Sequence, residues 1–201
     1  MCGLTGFWRS EPTSELRSVI MAMTDTIIHR GPDAGAVWID EDAGFALGHR
    51  RLSILELSEQ GAQPMQSACT RFVLVYNGEV YNHLELRQEL KRNGHEPAWR
   101  GHSDTETLLA CFVFWGVKAT LRKAVGMFAF ALWDKTERTL TLARDRFGEK
   151  PLYYGWVGQA SAQTFVFGSE LKSLRAYPGF DNPINRGALG LYFQFCTVPA
   201  P

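Results

Sequence analysis

Residues 1–8 read Met1-Cys2-Gly3-Leu4-Thr5-Gly6-Phe7-Trp8. From Cys2 to Trp8 the stretch reads as a β-strand interrupted by two glycines. Glycine inside a strand marks close approach of another backbone or of a ligand. Removal of Met1, which the small second side chain permits, makes Cys2 the N-terminus. One residue then carries a thiol nucleophile and a free α-amine. That amine has a reference pKa of about 7.7–8.0, close to neutral working pH. Pairing a nucleophile with an N-terminal amine is one way to activate it. Position alone favours a plainer reading, a small buried hydrophobe. The rest of the chain decides between the two.

The 201 residues predict one domain with a full hydrophobic core. A formal net charge of +0 argues against nucleic-acid binding and against a membrane-surface role. No apolar run reaches the ~18 residues of a membrane span. No basic segment followed by an apolar one marks a signal peptide. A cytoplasmic location is therefore expected. Cys2, Cys69, Cys111 and Cys196 fit no zinc template, so no metal site is expected, and Cys69, Cys111 and Cys196 read as core or surface thiols.

Working outward, Thr13–Ile28 reads as a helix because Leu16, Val19, Ile20, Met23 and Ile27 recur at helical spacing, with Thr13 or Ser14 as its cap. Strands are expected at Ala36–Ile39 and Phe45–Ile54. Phe72–Tyr76 reads as a buried strand ending at an Asn77-Gly78 turn. Helices are expected at Leu84–Arg92 and Asp104–Trp115, the second capped by Ser103. The second half reads as a meander of Met127–Asp134, Leu140–Arg144, Leu152–Val157 and Thr164–Gly168. Short helices follow at Glu170–Arg175 and Arg186–Phe193. Helices and strands without regular alternation predict layered α+β. The terminal Pro199-Ala200-Pro201 reads as the mouth of a linker.

Four segments carry chemistry if they converge: Cys2-Gly3, His49–Ile54, Asn77-Gly78-Glu79 and Gly101–Asp104. A thiolate attacking an amide creates an oxyanion that needs preorganised donors. The Asn77 side-chain amide and a backbone N–H at Gly78 supply such a pair; an isolated Asn-Gly reads more simply as a turn. An amino-acid substrate adds two charges. Its carboxylate suits a planar guanidinium, and its ammonium suits Asp104 or Glu79. Taken singly, Arg51 and Asp104 read as a solvated charge and a helix-cap residue. Each of His29, His49, His83, His95 and His102 reads as structural. Arg144-Asp145-Arg146 and Lys150 read either as a surface turn or as a face toward another domain.

Together, MCGLTGF, HRGPD, LGHRRLSILEL with GAQPM, VYNGEVYNHLELR, GHSDTETLL, GMFAFALWD, ARDRFGEKPLYYG and FGSELKSL cover nearly the whole chain. They resemble the glutaminase domain of the class II glutamine amidotransferases, most closely that of the glutamine-hydrolysing asparagine synthetase family. Hexosamine-phosphate and purine-pathway amidotransferases share the N-terminal cysteine but resemble this chain less around the arginine and asparagine segments. The resemblance implies a four-layer αββα sandwich of the N-terminal nucleophile hydrolase type over residues 1–201. It implies attack by Cys2 on glutamine, an oxyanion hole at Asn77 and Gly78, a carboxylate clamp at Arg51 and an ammonium partner at Asp104. Backbone along Arg51, Leu52, Ser53, Ile54 and Leu55, and at Gly78 and Glu79, would line the glutamine pocket. It also implies a C-terminal ATP-dependent synthetase domain as partner, absent from these residues. No cofactor is expected in this domain; ATP and magnesium belong to the absent one. A homodimer is a further expectation.

Overall fold

The structure is a computed structural model and describes residues 1–9, 15–54, 56–158, 163–181 and 183–198. Among the described residues, nine strands form two antiparallel sheets. The first contains β1 (Gly3–Arg9), β2 (Ala34–Asp40), β3 (Phe45–Arg51), β8 (Tyr153–Val157) and β9 (Thr164–Gly168), in the order β2-β3-β1-β9-β8. The second contains β4 (Met65–Gln66), β5 (Phe72–Val80), β6 (Gly126–Asp134) and β7 (Thr139–Arg144), in that order.

Three apolar layers hold four structural layers together. Helix α1 (Leu16–Asp25) packs on β1, β2 and β3, and α5 (Leu171–Arg175) packs on β9. Phe7, Ile20, Met23, Val166 and Leu174 fill that interface. Helices α2 (His83–Arg92), α3 (Asp104–Trp115) and α4 (Val117–Lys123) cover the second sheet. There Leu74, Tyr76, Leu90, Leu108, Phe112 and Phe130 form the core. Leu4, Phe45, Leu47, Val73, Val75, Trp133 and Phe167 lie between the sheets. This is the four-layer αββα arrangement. The strand alternation explains it: Leu74 and Tyr76 face the helices, while Val73 and Val75 face the other sheet. At Gly6 a Cβ would meet the Phe167 ring at 2.3 Å and the Ala46 carbonyl at 2.7 Å, so that glycine does serve a close approach.

Three expectations need correction. Asn77-Gly78 is not a turn; β5 runs through it, pairing Asn77 with Ala129 and Gly78 with Phe128. Neither residue has positive φ, so the dipeptide's turn capacity is unused because the β6 ladder satisfies it. The second half is not one meander: β6–β7 belong to one sheet and β8–β9 to the other. Strand β3 stops at Arg51, so Leu52, Ser53 and Ile54 leave the sheet as loop. Helix α1 starts at Leu16, and the expected caps Thr13 and Ser14 lie outside the described residues. So do Leu55 and Pro199–Pro201. Strand β4 and helix α4 are additions that sequence periodicity did not suggest. A last helix, α6 (Arg186–Phe195), has no buried residue. Among the described residues no helix is long and apolar enough to cross a membrane.

Candidate active site

Both sheets end their inner-face rows at one mouth. On β3 the row is Phe45, Leu47, His49, Arg51; on β5 it is Val73, Val75, Asn77; Leu4 on β1 is preceded by Cys2 on the same alternation. The rows are apolar in the middle of the sandwich and polar where they reach the mouth. A cavity of about 170 Å³ sits there. Cys2, Arg51, Leu52, Ile54, Asn77, Gly78, Glu79 and Asp104 all line it. Ser53 does not; its N–H instead donates to Asp33 Oδ2 at 2.8 Å. Leu55 is outside the described residues.

Cys2 is held at three points. Its thiol donates to the Leu52 carbonyl at 3.5 Å, its sulfur accepts the Leu52 N–H at 3.4 Å, and its own carbonyl accepts Arg30 Nε at 2.9 Å. Arg30 is anchored in turn by Glu170 at 3.0 Å. Burial pushes the Cys2 thiol pKa up, against the Leu52 N–H and the positive charges of the N-terminus and Arg51. With Met1 still attached, the Cys2 nitrogen is an amide and offers no base.

Asn77 is 2% exposed, and its Nδ2 has no hydrogen-bond partner among the described residues. A buried amide donor without a partner is costly and marks a place where an acceptor belongs. Gly78 supplies a second donor by register. Phe128, opposite it, donates its N–H to Asp145 Oδ2 and accepts Asp145 N–H at its carbonyl, both on the β7 side. The Gly78–Phe128 pair is therefore the non-hydrogen-bonded type, and the Gly78 N–H points away from β6. Its neighbours in that row are taken: Tyr76 N–H donates to Gln63 Oε1 at 2.7 Å, and Val80 N–H to Asp104 Oδ2 at 2.9 Å. The Gly78 N–H between them is left facing the cavity. A Cβ at Gly78 would lie 2.4 Å from the Met127 carbonyl and 2.6 Å from Phe128 Cβ, so only glycine permits this strand pairing.

Arg51 is 9% exposed. Its Nη1 donates to the Ser58 carbonyl at 2.9 Å and its Nη2 to the Glu56 carbonyl. Asp104 is 5% exposed at the start of α3. It accepts Tyr76 O–H and Val80 N–H at Oδ2, both 2.9 Å, and Thr105 N–H at Oδ1, 2.8 Å. Ser103 caps α3 as expected, accepting Glu106 N–H at 3.2 Å. Neither Arg51 nor Asp104 forms an ion pair among the described residues. Two opposite charges, each about nine-tenths buried, thus line one cavity without counter-ions. Buried charges are ordinarily paired.

Sequence reasoning missed several lining residues. Glu56 closes the loop after β3: its carboxylate accepts Ser58 O–H at 2.6 Å and His102 N–H at 3.0 Å. These bonds hold its pKa down to about 2. Gln63, from the GAQPM segment, braces β5 through Tyr76. Lys150 is 8% exposed and lines the cavity, and Asp145 is buried too; the surface-turn reading fits only Arg144 and Arg146, which are exposed. The motif GEKPLYY carried the signal for Lys150, but nothing in its composition says which way the lysine turns.

A family model described as a glutamine amidotransferase domain matches residues 1–201. The chain belongs to the glutamine amidotransferase domain family. Asparagine synthetase [glutamine-hydrolyzing] 1 of Bacillus subtilis is 40% identical over 204 residues, covering 100% of this chain and 30% of that protein. Asparagine synthetase [glutamine-hydrolyzing] 3 of the same organism is 38% identical over 96% of this chain and 30% of its own length. A putative asparagine synthetase [glutamine-hydrolyzing] 2 of Methanocaldococcus jannaschii is 34% identical, with 100% of this chain and 40% of the relative covered. The amidotransferase domain described here thus spans about a third of the length of these synthetases.

Proposed function

We propose that this amidotransferase domain hydrolyses the side-chain amide of L-glutamine through a thioester on Cys2. The observation that carries the reading is the pair of buried, counter-ion-free charges, Arg51 and Asp104, in one cavity with Cys2. A free α-amino acid supplies the two missing partners, carboxylate to Arg51 and ammonium to Asp104. Its side chain then extends toward Cys2, with Leu52, Ile54 and Glu79 lining the way.

The chemistry uses the chain's own groups. Loss of Met1 frees the Cys2 α-amine, which takes the thiol proton through a water. The thiolate attacks the amide carbon, and the oxyanion meets Asn77 Nδ2–H and the Gly78 N–H. Collapse returns a proton from the amine to the leaving nitrogen and expels ammonia. Water, deprotonated by the same amine, attacks the thioester and releases glutamate. Oxyanion donors of this kind are typically worth about 10²–10³-fold each.

The names of the relatives support a larger setting. In it, ammonia feeds an ATP-dependent amidation of aspartate, or of another carboxylate, in a downstream synthetase domain of the same polypeptide. ATP and magnesium would be held there. A second reading rests on Met1, which lines the cavity in this structure. With Met1 retained, the domain is an inactive glutamine-binding or structural support for the synthetase. Ammonia release by protein whose intact mass shows Met1 removed, compared with Cys2→Ala, separates the two. The expected result is complete loss in a folded Cys2→Ala; sustained turnover there sinks the mechanism.

A further inference from the structure

Lys150 remains unexplained once Arg51 and Asp104 are matched to a zwitterion. Its side chain is 8% exposed and lines the cavity, yet it forms no ion pair among the described residues. The polar contact of its Nζ is Met1 Sδ, at 3.5 Å. A thioether is a weak acceptor and no match for a buried ammonium. The backbone that presents Lys150 is unusually well fixed. The Asp145 carboxylate accepts N–H groups of Phe147, Glu149 and Lys150 at 3.0–3.1 Å, besides that of Phe128. Arg144 Nε donates to the Lys150 carbonyl at 2.7 Å. A turn so tied does not let its lysine swing out at little cost.

Met1 is the residue joined to the Cys2 nitrogen. Its removal empties the space against which the Lys150 head rests, and creates the Cys2 amine at the border of that space. We propose that Lys150 is a positioning residue for the glutaminase reaction, its ammonium holding the Cys2 α-amine in the unprotonated form that acts as base. This rests on the reading of Cys2 as an N-terminal nucleophile.

Other charges face the same point. Arg30 binds the Cys2 carbonyl but is neutralised by Glu170. Arg51 and Asp104 act at Cys2 with opposite sign, the first favouring loss of a proton and the second opposing it. Glu56 is engaged by Ser58 and His102 at the rim. Glu79 on β5 opposes Lys150, but it is half-buried and so more screened. Lys150 is the buried charge left to act. Met1 Sδ, 3.5 Å from Lys150 Nζ, belongs to the residue bonded to the Cys2 nitrogen, and a unit charge near a partly buried group shifts its titration by on the order of one pKa unit.

The test uses the full chain with Met1 removal verified by mass. In wild type, the pH dependence of α-amine acylation by acetic anhydride, read on the N-terminal peptide, should place the amine about one unit below the ordinary 7.7–8.0 range. Lys150→Met should raise both that value and the acid limb of kcat/KM by about one unit. Lys150→Arg should restore both. An ordinary amine titration in wild type overturns the proposal even if Lys150→Met does not fold. So does a Lys150→Met enzyme with a raised KM and an unmoved acid limb, which would make Lys150 a substrate ligand. Failure of the Cys2 mechanism looks different: it shows as turnover in Cys2→Ala, whatever the amine titration reads.

Discussion

His49 Nε2–H donates to the Tyr76 carbonyl at 3.0 Å, a hydrogen bond that crosses from one sheet to the other beneath the cavity. His49 is fully buried on β3, two residues before Arg51, and Tyr76 immediately precedes Asn77 on β5. The bond therefore fixes the spacing between Arg51 and Asn77, the proposed carboxylate clamp and the proposed oxyanion donor. Tyr76 is tied again on its other side, its O–H donating to Asp104. One strand residue thus links three of the proposed substrate contacts.

Burial lowers the His49 pKa from 6.5 to about 4, outweighing the Tyr76 hydrogen bond, and Arg51 adds to the lowering. The folded pKa lies below the unfolded one, so the unfolded chain binds the proton more readily between these values. Stability from this residue is full above about pH 6.5 and is lost as pH falls toward about 4. His49→Gln keeps a donor for Tyr76 and removes the titration. Denaturant unfolding of wild type should lose about 2 kcal/mol between about pH 7.5 and about pH 5 in excess of the loss in His49→Gln. Parallel losses in the two proteins would show that His49 does not titrate this way.

Much of this was legible in the residues. The unbroken apolar run Phe72–Tyr76 marked a strand buried on both faces, and helical spacing in Leu16–Ile27 marked a helix with one apolar face. Ser103 and the acids after it marked the start of α3. What periodicity missed was decided by long-range pairing. Asn77-Gly78 carries local turn chemistry, but Phe128 and Ala129 offered it a ladder, and tertiary pairing overrides local preference. The two-residue β4 is too short to show a period. The loop bearing Lys150 reads in sequence either as a surface turn or as a face toward another domain, because its inward turn is imposed by one buried carboxylate, Asp145, collecting successive N–H groups. The resemblance named the site residues; only the geometry shows that Arg51 and Asp104 lack counter-ions.

Asn77→Ala should lower kcat by roughly 10²–10³-fold with a smaller effect on KM, since the donor acts when the oxyanion forms. The fold should tolerate it, because Asn77 Nδ2 has no partner in the ground state to lose. Steady-state kinetics with glutamine check this. A raised KM at unchanged kcat would make Asn77 a ground-state contact instead.

Gly78→Ala should cost both stability and turnover. The added methyl meets the Met127 carbonyl and Phe128 across the ladder, which are backbone-fixed and cannot swing aside. A loss of about 1–3 kcal/mol is the usual scale for such overpacking. Thermal or denaturant unfolding measures it, and an unchanged midpoint would mean that β5 and β6 separate more easily than this register implies.

Arg51→Lys and Asp104→Asn should each weaken glutamine binding, through opposite ends of the substrate. Lysine keeps the charge but cannot make two parallel bonds to a carboxylate. It also cannot hold the Ser58 and Glu56 carbonyls as the guanidinium does. Removing one partner of a desolvated charge pair costs about 2–5 kcal/mol, and retained charge puts Arg51→Lys at the lower end. Asp104→Asn keeps an acceptor for some of the Tyr76, Val80 and Thr105 donors while deleting the charge that an ammonium needs. A glutamine analogue lacking the α-ammonium separates the two roles. It should bind wild type and Asp104→Asn almost equally, since the contact is already missing. It should still feel Arg51→Lys in full, because its carboxylate is intact. Competition against glutamine in the ammonia assay reads both. If the analogue distinguishes neither variant from wild type, or penalises both alike, the assignment of Arg51 to carboxylate and Asp104 to ammonium is wrong.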